Sequence, residues 1–335
     1  MVTLLIVSFK EAAGKTAICA GIGSYFMGAG KKVGFFKPAP DGADHSDAAF
    51  MKQVLSLAEE AQSISPSIGD GDTMIDKIKE AYAGVADGKD IMIVEGILGQ
   101  SSDDTRSRAS YEIAGALGAK VLVIDTYPAK STLADISKGF GKNLLGVVIN
   151  KVPMSKLKHV QDELSAELVK AGVNVLGVLP EDRALLALTV GELAYGIQGK
   201  ILNDTGKSAE LVENYMLGAM VVDSGLDYFG RKIGKAVVIR SDRPDMQMAA
   251  LETSTKCLVL SGAVGQPFHG VIEKAEQKGI PIIQTESDTG AIVTTIENAL
   301  EKARFNQEKK LPGIAVIMQQ HMDIPAVERG LGLAG

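Results

Sequence analysis

The chain of 335 residues is 46% hydrophobic and 23% charged, a globular composition with material for about two domains of ordinary size; a disordered chain would be poorer in apolar residues. Its 35 Lys and Arg against 41 Asp and Glu leave a formal charge of −6 with no basic block, which argues against duplex nucleic acid as a partner. Cys19 and Cys257 lie far apart without CxxC spacing, which excludes a zinc site or disulfide framework and points to a reducing cytoplasm, and no run approaches the roughly 18 to 20 apolar residues of a membrane span.

Short β-branched runs alternate with longer amphipathic or Ala-rich segments, the rhythm of βαβ units around a parallel sheet, so the fold class is α/β. Thr3–Val7 reads as the first strand, Lys15–Ala29 as a helix closed by Gly30, and Lys32–Phe36 as the second strand. Asp47–Leu57 and Thr73–Ala83 read as helices, and Ile91–Glu95 as a strand whose apolar run stops at an acid. Val121–Asp125, Leu145–Asn150 and Val175–Val178 complete the strands, with helices near Ser131–Gly139 and Lys156–Ala171. A helix over Leu186–Lys200 leads into the turn chemistry of Leu202–Gly206. Strands Lys235–Ile239, Cys257–Leu260 and Pro281–Gln284 then alternate with helices Pro244–Thr253, Gln266–Lys278 and Asp288–Lys302 as a second, smaller α/β domain. The expected organisation is a first domain over 1–200, a linker over 201–212, a second domain over 213–310 and a tail over 311–335.

Ser8-Phe9-Lys10-Glu11-Ala12-Ala13-Gly14-Lys15-Thr16 joins the first strand to the first helix, the context a phosphate loop requires. Backbone N–H groups at a helix start point at an anion, the helix dipole favours negative charge, and a lysine adds a full positive charge. Lys10, Glu11, Ala12, Ala13, Gly14, Lys15 and Thr16 are therefore the candidate phosphate cradle, and the Thr16 hydroxyl suits Mg²⁺. Phe9 stands where such loops usually carry their first glycine, five residues before Gly14.

Three strand ends add polar groups where ligands of open α/β sheets sit. Lys37 follows the second strand, positioned to meet phosphate or an acidic substrate. Glu95 ends the third in the manner of a Walker B acid that holds Mg²⁺ directly or through water. Asp47 opens the helix that follows the second strand and its loop, either as a metal ligand or as its cap. Asn150 ends a later strand, either to read adenine or as turn chemistry. His45 lies in the loop before Asp47, while His159, His269 and His321 show no metal-ligand spacing.

Together these residues resemble the ATP-dependent carboxylase fold of dethiobiotin synthetase: Gly14-Lys15-Thr16, Lys37-Pro38, Ser46-Asp47-Ala48, Val94-Glu95-Gly96 and Asn150. The resemblance implies a P-loop NTPase-type parallel sheet flanked by helices, Lys15 and Lys37 on phosphate or carbamate, and Thr16, Asp47 and Glu95 around Mg²⁺. Lys10, four residues before Gly14, is similar to the signature lysine of MinD- and ParA-type loops, which acts across a dimer interface; a solvated loop lysine is the alternative. A closer likeness is to the amino-terminal region of long phosphate acetyltransferases, through Leu179-Pro180-Glu181-Asp182-Arg183 and Leu188-Thr189-Val190-Gly191-Glu192-Leu193. The second domain resembles the DRTGG domain that follows there, with Val238 to Asp245, Leu258 to Gly262, Pro281 to Ile283 and Asp288-Thr289, although Ser261-Gly262-Ala263 stands in place of Thr-Gly-Gly. The acetyltransferase catalytic region is not found in these residues.

Ser8 replaces the first glycine of the dethiobiotin synthetase loop, and Ile97 and Leu98 are bulky where that enzyme is small near its diamino substrate, so dethiobiotin synthesis is disfavoured. The related cobyrinic acid a,c-diamide synthases add a glutaminase whose nucleophilic Cys sits on a strand-to-helix elbow. Cys257 begins a strand and reads as a core thiol. The expectation is a cytoplasmic Mg·ATP-binding regulatory or sensory ATPase, a homodimer, with Lys15, Lys37 and Lys10 as catalytic candidates. The alternatives are an ATP-dependent ligase activating a carboxylate or carbamate, and a non-catalytic partner of a separate acyltransferase.

Overall fold

The computed structural model describes residues 1–39, 45–69, 73–96, 103–129, 132–203, 205–219, 225–262, 265–301 and 303–333. The chain divides into two units, Met1–Asp182 with Phe305–Gly335, and Arg183–Arg304.

In the first unit β1 (Val2–Ser8), β2 (Val33–Phe36), β3 (Ile91–Glu95), β4 (Lys120–Thr126), β5 (Leu144–Val152) and β6 (Val175–Pro180) form one parallel sheet in the order β2-β3-β1-β4-β5-β6. The strands are buried on both faces, which is why their sequences read as continuous apolar runs rather than alternating ones. Leu5, Val7, Val94, Val123 and Ile149 share one core cluster with Ile78 and Ile113 from the helices on that face. From β1 the chain crosses to β2 and β3 on one side and then to β4 on the other, so the strand order reverses at β1 and a ligand crevice opens at its carboxyl end.

Helix α1 (Lys15–Gly28) covers the opposite face. A Cβ at Gly23 would press on Leu55 and Ile93, and one at Gly21 would overlap Met318. Met318 belongs to a helix, Leu311–His321, followed by another at Ile324–Leu331. The expected tail is therefore a pair of helices packed on α1 and β6, with Ile314, Ile317, Met318 and Val327 buried. The sequence does not announce the helix Asp103–Ala116, because its charged first half hides the buried Ile113 and Ala114.

In the second unit Asn214–Leu217, Lys235–Arg240, Thr255–Ser261 and Ile282–Gln284 lie parallel in chain order, with Lys200–Ile201 antiparallel at the far edge. Alternation along these strands sorts two cores: Val237, Ile239, Leu258 and Leu260 pack with Phe229, Met246 and Val271, whereas Ala236, Val238, Cys257 and Val259 pack with Leu193, Ile292 and Ile296. Residues 183–200, expected in the first domain, belong to this unit. The expected helix Leu186–Lys200 is shortened to Val190–Gly196, with strand residues at Leu188–Thr189 and Lys200–Ile201. A capping box sets its start: Thr189 Oγ1 accepts from the Glu192 N–H at 3.1 Å, and Glu192 Oε2 accepts from the Thr189 N–H at 2.8 Å. Among the described residues no helix is long and apolar enough to cross a membrane.

Candidate phosphate-binding site

The loop after β1 keeps its shape without the usual glycines. Phe9 is buried in the core cluster and anchors the start of the loop. The Ser8 hydroxyl accepts from the Lys10 N–H at 3.1 Å and donates to the Lys10 carbonyl at 2.9 Å, closing the first turn. Ala12 takes a left-handed φ of 50° and Gly14 one of 89°. Gly14 caps α1 with no side-chain hydrogen bond, so the helix start carries N–H donors without a side-chain cap, the arrangement that binds anions.

Lys15 is buried at 5% exposure, and among the described residues its ammonium has no hydrogen bond or ion pair. Burial holds its pKa below the ordinary lysine value; Glu95 opposes this and neighbouring Lys37 adds to it. An ammonium kept close to a helix start without a partner has the charge and placement that an anion receptor requires.

Glu95 comes beside β1 because β3 pairs with it in register, Ile6 opposite Glu95. Its carboxylate is 3% exposed and accepts from Thr16 Oγ1, at 3.2 Å to Oε1 and 3.0 Å to Oε2. Lys37 Nζ lies 2.7 Å from Glu95 Oε1 and also pairs with Asp47. Burial alone would lower the Lys37 pKa, but the two carboxylates outweigh it and hold it above the ordinary lysine value. Asp47 and Glu95 therefore gather around one cation that the chain itself supplies, and Thr16 joins them through its hydrogen bonds to Glu95. Their donor set, one hydroxyl and two carboxylates, suits Mg²⁺, which takes few protein oxygens and completes its shell with water and phosphate. Among the described residues no three His, Cys, Asp or Glu side chains cluster as an all-protein metal site.

Two expected residues have other partners in the structure. Lys10 is held within its own chain, 2.9 Å from Asp125 Oδ1, 2.9 Å from the Thr126 carbonyl and 2.6 Å from the Pro128 carbonyl. Asn150 is buried, and its Nδ2 donates to the Ala13 carbonyl at 2.9 Å. Asp125 lies at the carboxyl end of β4, where its sequence position allows it either to face the nucleotide or to serve as a cap or turn residue, and the structure pairs it with Lys10. Ser8 is the residue that sequence reasoning missed; nothing local marked it as the bond that closes the loop. Glu11 is exposed and Ala13 buried in the same loop. The His45 Nδ1 at the start of helix α2 (Ser46–Val54) is buried without a hydrogen-bond partner. Ile97, Leu98, residues 40–44 and Ala263 lie outside the described residues.

A parallel sheet with reversed strand order, a glycine-poor phosphate loop after its central strand and a buried acid on the neighbouring strand define a P-loop NTPase-type domain. The chain belongs to the dethiobiotin-synthetase-like P-loop family described as AAA domain, whose profile matches residues 2–188, and a DRTGG domain profile matches residues 192–299. Phosphate acetyltransferase of Nitratidesulfovibrio vulgaris is 23% identical over 96% of this chain and 50% of its own length. That of Haemophilus influenzae is 22% identical over 96% and 52%. The chain thus spans about half the length of these curated relatives. Hydrogenobyrinate a,c-diamide synthase of Mycobacterium bovis is 28% identical over 51% of this chain and 38% of its own. Among solved structures, MinD of Aquifex aeolicus aligns at a TM-score of 0.39 with 17% identity, covering 56% of this chain and 85% of that one. The CBS and DRTGG regulatory region of a Clostridium perfringens pyrophosphatase aligns at 0.27 with 16% identity, covering 38% and 58%.

Proposed function

We propose that this chain binds Mg·ATP at the loop preceding α1 and works as a regulatory or sensory ATPase. The observation that carries the reading is Lys15, buried at an uncapped helix start beside Glu95 with no partner of its own among the described residues. In this reading the N–H groups of Gly14, Lys15 and Thr16 receive phosphate oxygens and the Lys15 ammonium neutralises part of their charge. Thr16, Glu95 and Asp47 would hold Mg²⁺, which supplies charge neutralisation at the phosphates. Equilibrium titration with ATP, ADP and GTP, with and without Mg²⁺, tests it; absence of nucleotide binding by the wild type contradicts it.

A second reading, an ATP-dependent ligase for a small carboxylate or carbamate, is favoured by the similarity of about half of the chain to a diamide synthase. It requires Lys37 to leave Asp47 and Glu95 and clamp the acceptor. Nucleotide turnover that depends on an added small acid supports this reading; slow hydrolysis without any acceptor supports the first. Action of Lys10 on a neighbouring subunit's nucleotide, in a homodimer, likewise requires its release from Asp125, and light scattering with and without ATP tests the assembly.

A further inference from the structure

We propose that Asn150 is a positioning residue for the phosphate loop, fixing the plane of the Ala13–Gly14 peptide so that the Gly14 N–H faces the bound phosphate. The inference rests on the nucleotide site proposed above and assigns Asn150 a task other than reading the base.

The argument starts from what the loop lacks. A glycine-rich loop reaches left-handed backbone angles at no steric cost, but here Ala12 adopts one with a Cβ in place, and Phe9 is committed to the core. The peptide orientations therefore need support from outside the loop. Asn150, at the carboxyl end of β5, gives it: Nδ2 donates to the Ala13 carbonyl at 2.9 Å from a position 8% exposed. The same nitrogen lies against Gly14, only 2.5 Å from where a Cβ would stand. Gly14 is thus required twice, by its φ of 89° and by the amide packed on it.

In a planar trans peptide the C=O and the following N–H point in opposite directions. Holding the Ala13 carbonyl toward Asn150 turns the Gly14 N–H away from it. Among the described residues that N–H has no hydrogen-bond partner, and it stands immediately before the uncapped start of α1 and the unpartnered Lys15. Without the Asn150 amide the peptide is free to rotate, and every ligand that uses the loop meets a receptor that is only part of the time correctly formed, with affinity reduced by that fraction.

The position predicts a loss that is blind to the base. In titrations of the full chain, Asn150→Ala should weaken Mg·ATP, Mg·GTP and Mg·tripolyphosphate by the same factor, about tenfold for one lost buried hydrogen bond. A loss confined to ATP, with tripolyphosphate unchanged, would make Asn150 a base reader and overturn the proposal; unchanged affinity for all three would overturn it as well. Hydrogen exchange on the ligand-free protein is the second readout: peptides spanning residues 10–16 should exchange faster in Asn150→Ala. Should that variant not fold, Asn150→Asp keeps the shape and removes the donor, and the same acceleration is expected. Unaltered exchange of the loop in a folded variant contradicts the proposal. A wild type that binds none of the three ligands contradicts the nucleotide reading, while the ligand-free exchange still decides the role of Asn150.

Discussion

Lys37 Nζ and Glu95 Oε1 stand 2.7 Å apart, joining the residue after β2 to the last residue of β3. Asp47 pairs with the same ammonium, so one internal cation balances two carboxylates at the place where a divalent ion would be expected. Removing one partner of such a cluster leaves uncompensated charge. Lys37→Met should lower stability by about 2 kcal/mol, below the full buried-pair value because Lys37 and Asp47 keep some solvent contact. Added Mg²⁺ should restore more of the loss in the variant than it adds to the wild type. Thermal unfolding with and without Mg²⁺ checks both statements, and an equal Mg²⁺ response in the two proteins refutes the second.

Glu95→Gln removes one negative charge at nearly constant shape and keeps an acceptor for the Thr16 hydroxyl. The variant should fold, with nucleotide binding that no longer strengthens when Mg²⁺ is added. Comparing ATP affinity in Mg²⁺ and in chelator measures this directly. Undiminished Mg²⁺ dependence would return Glu95 to a purely structural role with Lys37.

Ala12 carries a φ of 50°, where an L side chain crowds the carbonyl that follows it. Ala12→Gly should relieve that crowding and, after the added chain entropy of glycine, stabilise the protein by about 0.5 to 1 kcal/mol. Urea unfolding of the two proteins decides it; a destabilised variant would mean that the methyl group earns its position by packing.

Lys235, fully buried at the start of its strand, donates to Thr253 Oγ1 and the Ser254 carbonyl, each at 2.9 Å, and burial pushes its pKa down to about 8. The unfolded chain holds the proton up to the ordinary value of 10.5. Between these two values the unfolded state binds more protons, so this group makes stability rise with pH; below the lower one its penalty is present in full. Lys235→Met should therefore be more stable than the wild type near neutrality, with the gap narrowing as pH climbs toward 10.5. Urea unfolding of both proteins across that range tests the sign, and a gap independent of pH rejects it.

The first sheet was legible because parallel strands buried on both faces leave unbroken apolar runs such as Leu4 to Val7 and Ile91 to Val94. The phosphate loop was legible from Gly14-Lys15-Thr16 between a strand and a helix. The C-terminal helices were not, because Pro312 and Gly313 resemble loop chemistry until the small Gly21 of α1 is seen to admit Met318. The start of the helix at Val190 was written in the Thr189 and Glu192 capping box, and the longer apolar pattern around it obscured that signal. At the site, residue types could be read in advance but their pairing could not. The placing of Lys37 between Glu95 and Asp47, of Lys10 on Asp125 and of Asn150 on Ala13 follows from strand order and register, which bring together segments distant in the chain.

Calorimetric titration of Mg·ATP into the wild type and into Lys15→Ala tests the central claim most directly. The account predicts a single binding event in the wild type, weakened tenfold or more, by the about 1.5 to 3 kcal/mol of a charged hydrogen bond, when the Lys15 ammonium is removed from a protein that remains folded. No heat of binding in the wild type, or equal affinity in the two proteins, would contradict it.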